Sequence, residues 1–120
     1  MTDASNLLRN RVSIGREKVD EKKLVDLVGC DASLPFIIFA LEILKDSEST
    51  IRWKDLRYET AVAMCGKERD NPKIRFWIGL YTDFDIPEEM VKLGLIKPAD
   101  LSLDEGYRLT DVGSSYFVIK

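Results

Sequence analysis

The stretch Met90-Val91-Lys92-Leu93-Gly94-Leu95-Ile96, with Tyr107-Arg108-Leu109-Thr110-Asp111-Val112-Gly113 soon after it, constrains the fold more than any other part of this chain. The residues before Gly94 read as a helix, since glycine takes the left-handed cap conformation without a Cβ clash. Leu95-Ile96 leads out of it as an apolar pair. The segment from Ala99 to Gly106 is expected as a polar loop, and Tyr107 to Leu109 as its return strand. Thr110-Asp111 then offers an N-cap to a terminal segment that holds Tyr116, Phe117, Val118 and Ile119. Helix, hairpin and capped segment in that order imply an α+β class in which helix dominates.

Upstream, residues 1–14 are expected to form a flexible arm with Arg9 and Arg11 as its main charges. The residues from Gly15 to Val28 read as an amphipathic helix, with Leu24, Leu27 and Val28 sharing a face and Gly29 as its stop. Asp31 and Ser33 are candidate N-caps for the next helix, which runs from about Leu34 to Lys45. It carries Phe36, Ile37, Ile38, Phe39, Leu41, Ile43 and Leu44, so it is apolar on nearly every side. A helix with almost no wet face belongs at the centre of a core or in an oligomer interface, so either the N-terminal helix covers one side of it or a second subunit does, and a homodimer is the expected assembly. Thr50 to Trp53 reads as a short strand. Lys54 to Cys65 reads as a helix with Tyr58, Val62 and Cys65 on its apolar face and Gly66 as its stop.

The residues from Lys73 to Phe84 admit two patterns. As a helix they place Ile74, Trp77, Ile78 and Tyr81 on one side. As a strand they alternate, and their aromatic and β-branched content suits one. The Asn71-Pro72 start and the order of the neighbouring elements favour helix. Asp85-Ile86-Pro87-Glu88-Glu89 begins a further short helix, with an acidic cap and acids in the first turn, where they complement the helix dipole.

The sequence from about Ser33 to Lys120 resembles a winged-helix (winged helix-turn-helix) domain of the broad kind found in bacterial and archaeal transcription regulators. The resemblance is carried by Gly94-Leu95-Ile96, which ends the third helix, and by Leu109-Thr110-Asp111-Val112-Gly113, which opens the last one. The chain departs from the pattern at Asp85-Ile86-Pro87, where an extra helix start interrupts the run into Gly94. The resemblance implies a winged helix with an added N-terminal helix, in one domain over residues 15–120. It also implies a recognition helix starting near Pro72, and double-stranded DNA as partner. Lys73, Arg75 and Thr82 would then be contacts from that helix, with Lys67 and Arg69 meeting phosphates from the turn before it. The plain alternative is that these are solvated charges on an outer helix face.

Charge speaks on both sides. The net charge is −3, unlike the basic footprint usual for nucleic-acid binders. The charge is unevenly placed: residues 52–75 carry seven bases against four acids, and residues 83–111 carry eight acids against three bases. A DNA-binding surface requires Arg52, Lys54, Lys67, Arg69, Lys73 and Arg75 to gather on one side. The wing holds Asp100, Asp104 and Glu105, which repel phosphate and suit a protein partner instead. A winged-helix interaction module or a subunit of a larger assembly is the competing expectation.

Catalytic equipment is sparse. The chain has no histidine, its seven glycines form no phosphate-cradling loop, and its two cysteines make no Cys-x-x-Cys pair. Neither an enzyme, a cofactor nor a metal site is expected. Cys30 and Cys65 read as small buried thiols. Trp53, Trp77 and Tyr81 read as core aromatics, with stacking on single-stranded bases as the alternative. No apolar run approaches the roughly 18 residues that span a bilayer. The first residues lack the order of a secretory signal, so a cytoplasmic location is expected.

Overall fold

Strand pairing, rather than a longer helix, organises the first described residues. The computed structural model describes residues 18–47, 50–101 and 104–118. The expected arm, residues 1–14 with Arg9 and Arg11, lies outside them. Strand β1 (Lys18–Val19) pairs antiparallel with β5 (Phe117–Val118), in the register Lys18 with Val118 and Val19 with Phe117. The helix expected from Gly15 therefore begins only at α1 (Glu21–Val28). Asp20 is the reason. Its carboxylate accepts from the Lys23 amide and caps the helix, while its own amide donates to the Tyr116 carbonyl and ends the strand. Lys23 holds the same corner through its Nζ, which donates to the Ser115 carbonyl at 3.0 Å and lies over the Tyr116 ring.

The remaining elements follow as α2 (Leu34–Ser47), β2 (Ile51–Arg52), α3 (Trp53–Met64), α4 (Ile74–Asp83), α5 (Ile86–Lys92), β3 (Ile96–Leu101), β4 (Asp104–Leu109) and α6 (Asp111–Ser114). The architecture is α+β and mainly helical. Helix α2 is the core. Phe36, Ile37, Ala40, Leu41 and Leu44 are buried, and α2 packs against α1, α3, α5, β1 and β4 of its own chain. Phe36 meets the edges of Trp77, Tyr81 and Phe84, an arrangement that the aromatic quadrupole favours. On α3 the buried face is Leu56, Thr60, Ala61, Val62 and Ala63. Tyr58, expected on that face, is exposed instead, because the helix packs through its small residues and leaves the larger ring outside.

Strand β4 is the middle of a three-stranded antiparallel sheet, in the order β2, β4, β3. The hairpin is laddered further than the sequence suggested. Ala99 pairs with Gly106, Asp100 with Glu105 and Leu101 with Asp104, so most of the expected loop is strand. The ladder between β3 and β4 overrides a weak local turn preference, and β2 supports β4 only at Gly106 and Tyr107. The carboxylates of Asp100, Asp104 and Glu105 lie outside the described side chains. Register alone places these residues at the far end of the hairpin from Ile96 and Leu109.

The two short motifs at the end of the chain are in direct contact. Gly94 caps α5 with φ +78°, and the Leu95 amide reaches back to the Met90 carbonyl. Thr110 then ties the motifs together. Its amide donates to the Leu95 carbonyl, its hydroxyl faces the carbonyls of Gly94 and Leu95, and its oxygen accepts from the Gly113 amide to cap α6.

Candidate nucleic-acid interface

The ambiguous segment is helix α4. Asn71 organises its start by accepting the Lys73 amide on its side-chain oxygen at 2.8 Å. Helical spacing puts Ile74 and Tyr81 in the interior and Trp77, Ile78 and Leu80 half-buried beside them. A strand would have sent Trp77 and Ile78 to opposite faces. The outward side holds Arg75, Phe76, Gly79, Thr82 and Asp83, all exposed.

The expected contact residues are distributed unevenly. Lys67 and Lys73 are exposed at the two ends of the turn between α3 and α4. Lys67 follows Gly66 in a left-handed conformation (φ +67°), and its amide closes the end of α3 on the Val62 carbonyl. Arg69 and Arg75 line one open groove of about 600 Å³ with Tyr58, Asn71, Pro72 and Ile78. Arg69 is engaged within the protein: its guanidinium donates to both Glu59 oxygens at 2.8 and 3.0 Å. These hydrogen bonds hold its proton more firmly than in a free arginine. Thr82 lies about two turns beyond Arg75 on the same outward side of α4 and does not line that groove. Its hydroxyl donates to the Ile78 carbonyl, and it borders a separate cavity with Trp53 and Tyr81.

The six bases expected on one surface fall into two groups. Arg52 and Lys54 stand at the start of α3, while Lys67 and Arg69 lie beyond its end. Twelve residues of helix, about 18 Å, separate them. Arg52 belongs instead with two cations that the sequence reading did not single out. Lys97 and Arg108 are direct cross-strand partners, and Arg52 pairs with Gly106 on the other side of β4. Paired residues share a sheet face, and so do positions two apart on a strand, so Arg52, Lys97 and Arg108 occupy the same face. All three are exposed, and Lys97 and Arg108 border an open groove of about 540 Å³ with Thr110, Asp111 and Val112. Only the hairpin register reveals this grouping, since the two residues are far apart in sequence.

No family model, curated protein or solved structure matches this chain. Among the described residues no three histidine, cysteine, aspartate or glutamate side chains group as metal ligands, and no helix is long and apolar enough to cross a membrane. Cys30 is exposed, not buried, because it follows the α1 cap into an outer turn. Cys65 is half-buried, and desolvation, with help from Glu68, pushes its thiol above the usual range, away from a reactive thiolate. Trp77 and Tyr81 pack in the core as expected. Trp53 is half-buried under the Arg57 guanidinium at 4.7 Å.

Proposed function

We propose that this chain is a winged-helix protein that binds double-stranded DNA and regulates transcription. The fold part of the proposal is supported by order and pairing. A core helix, a short strand, three helices and a hairpin follow one another, α5 being one more helix than the simple pattern has, and β4 is the middle strand of the sheet formed with β2 and β3. The functional part is carried by the register of Lys97 against Arg108. Like charges directly opposite on a sheet are unfavourable. An anion bound between them relieves the repulsion, and a phosphate backbone supplies such anions at regular spacing. The cations do not form the single surface expected of the six bases between Arg52 and Arg75, so the proposal rests on two separate sets: beside Lys97 and Arg108, Lys67, Lys73 and Arg75 offer phosphate contacts on the turn and on α4, with Thr82 further along the outward face.

A gel-shift salt series on a generic duplex tests the proposal. Binding should weaken steeply as salt rises, with a log–log slope near −0.9 for each phosphate neutralised. Reversing the charge at Lys97 and Arg108, or at Lys73 and Arg75, should each flatten that slope. Absence of binding in low salt would reject it. A homodimer forms part of the same proposal. Ile38, Phe39 and Ile43 are only half-buried on α2, and sedimentation across a concentration series reads the assembly state.

A protein-interaction module is the second reading, favoured by one observation. Phe76 is 58% exposed on the outward side of α4, with Asp83 on the same side. An exposed aromatic beside an acid suits a protein surface better than a phosphate backbone. Replacing Phe76 with alanine should leave DNA binding unchanged under the first reading and abolish partner capture under the second.

A further inference from the structure

We infer that the cavity between α3, α4 and β4 is a binding site for a small monocarboxylate with a compact apolar body. The cavity is about 210 Å³. Trp53 and Arg57 from the first turns of α3 and Tyr81 from the end of α4 form part of its wall. Pro87 at the start of α5 and Tyr107 from β4 complete it. A cavity near 150 Å³ lined by apolar side chains accepts benzene, so this volume suits one ring, or a short chain, with a carboxylate attached.

Two buried polar atoms belong to residues of this wall. Tyr81 is only 1% exposed, and its hydroxyl has no hydrogen-bond partner among the described residues. The Arg57 Nε is likewise buried and without a partner among them. Arginine Nε–H can only donate. The phenol is held protonated, because burial pushes its pKa upward, so it too can donate. An unmet buried donor is costly. Both atoms lie just beneath the wall, so a ligand that supplies acceptors to both draws the two side chains toward the cavity and removes that cost. A carboxylate has two acceptor oxygens and a charge that matches the guanidinium. Asp85, exposed on the same wall, opposes negative charge, so a single carboxylate held by Arg57 is favoured over dicarboxylates and phosphate esters, which bring a second charge. The Trp53, Pro87 and Tyr107 side chains provide the apolar wall. Such a ligand would join the end of α4 to the sheet.

Titration of the ¹⁵N-labelled full chain with sodium benzoate tests the inference, with propanoate as a smaller carboxylate and benzyl alcohol as the uncharged match. Benzoate or propanoate should produce saturable shifts at the Trp53 indole and at the Thr82 and Tyr107 amides. Benzyl alcohol should bind at least about tenfold more weakly, as expected when a charge-assisted hydrogen bond is lost. Tyr81→Phe removes only the unpartnered hydroxyl and keeps the ring, so its fold should survive. It should weaken carboxylate binding about tenfold, as should Arg57→Gln. If neither carboxylate gives a saturable shift, the inference fails. It fails equally if Tyr81→Phe binds as tightly as the parent, or if benzyl alcohol matches benzoate.

Discussion

A Cβ built on Gly113 would overlap the carbonyl oxygen of Leu95, with the Leu109 side chain 3.2 Å away on another side. Gly113 is thus required for space, not for an unusual backbone angle. It lets the first turn of α6 lie directly on the chain leaving α5. Gly113→Ala should destabilise the fold by roughly 1–3 kcal/mol, the usual cost of overpacking. A drop in the urea midpoint would show it. An unchanged midpoint would mean that the contact relaxes freely.

Gly79 is the opposite case. It lies inside α4, and a Cβ there would meet nothing within 4 Å. Glycine inside a helix is less favourable than alanine by about 0.5–1 kcal/mol, because the unfolded chain is freer. Gly79→Ala should raise the melting temperature of the domain. A lower one would point to a packing role that open space at this position does not predict.

Lys97 and Arg108 face each other across the hairpin. Lys97→Thr removes the repulsion and adds a β-branched residue, so stability should rise by roughly 0.2–1 kcal/mol. Duplex affinity should fall at the same time, with the salt slope smaller by about 0.9. Stability and binding that both fall would mean that Lys97 is held by favourable contacts in the folded chain.

Glu59 competes with DNA for Arg69 in the proposed complex. Both side chains are well exposed, at 37% and 59%, so the ion pair contributes only about 0–1 kcal/mol. Glu59→Gln should leave the urea midpoint nearly unchanged while raising duplex affinity at low salt. Gel shifts at matched ionic strength compare the two proteins, and equal affinity would remove Arg69 from the set of contacts.

Glu88 gives a pH signature. A hydrogen bond with Asp85, and then the charge of Asp85, raise its pKa above the ordinary glutamate value, against the opposing pull of Lys92 at 3.8 Å. The folded state therefore binds this proton more tightly than the unfolded chain. The resulting stability is fully present below the ordinary glutamate pKa and is lost as pH rises through the folded value. Glu88→Gln should be stabilising relative to the parent near neutral pH, with the difference vanishing in acid. Carboxyl NMR titration should show Glu88 returning toward its ordinary value in Asp85→Asn.

Much of the fold was legible in the residues. Gly94, Thr110 and the apolar run from Phe36 to Leu44 act through local backbone geometry and one-dimensional periodicity, which a sequence displays directly. The helical state of residues 74–83 was legible through Asn71-Pro72. The start of α1 was not, because the residues that turn 18–19 into a strand lie nearly a hundred positions away at Phe117 and Val118. The sequence predicts a side-chain cap at Asp85. That residue takes a left-handed turn between α4 and α5 instead, and its side chain makes no cap hydrogen bond.

The candidate site divides along the same line. Sequence alone determined where most of the helices run, where the motif glycines and Thr110 stop and start them, and that positive charge gathers between residues 52 and 75. Tertiary structure alone decided that Arg69 is held by Glu59, that Arg52 joins Lys97 and Arg108 on one sheet face, and that Tyr81 and Arg57 meet at a cavity. Capping and periodicity depend on neighbours within a few residues. Register, ion pairing and cavity walls depend on which distant segments the core brings together.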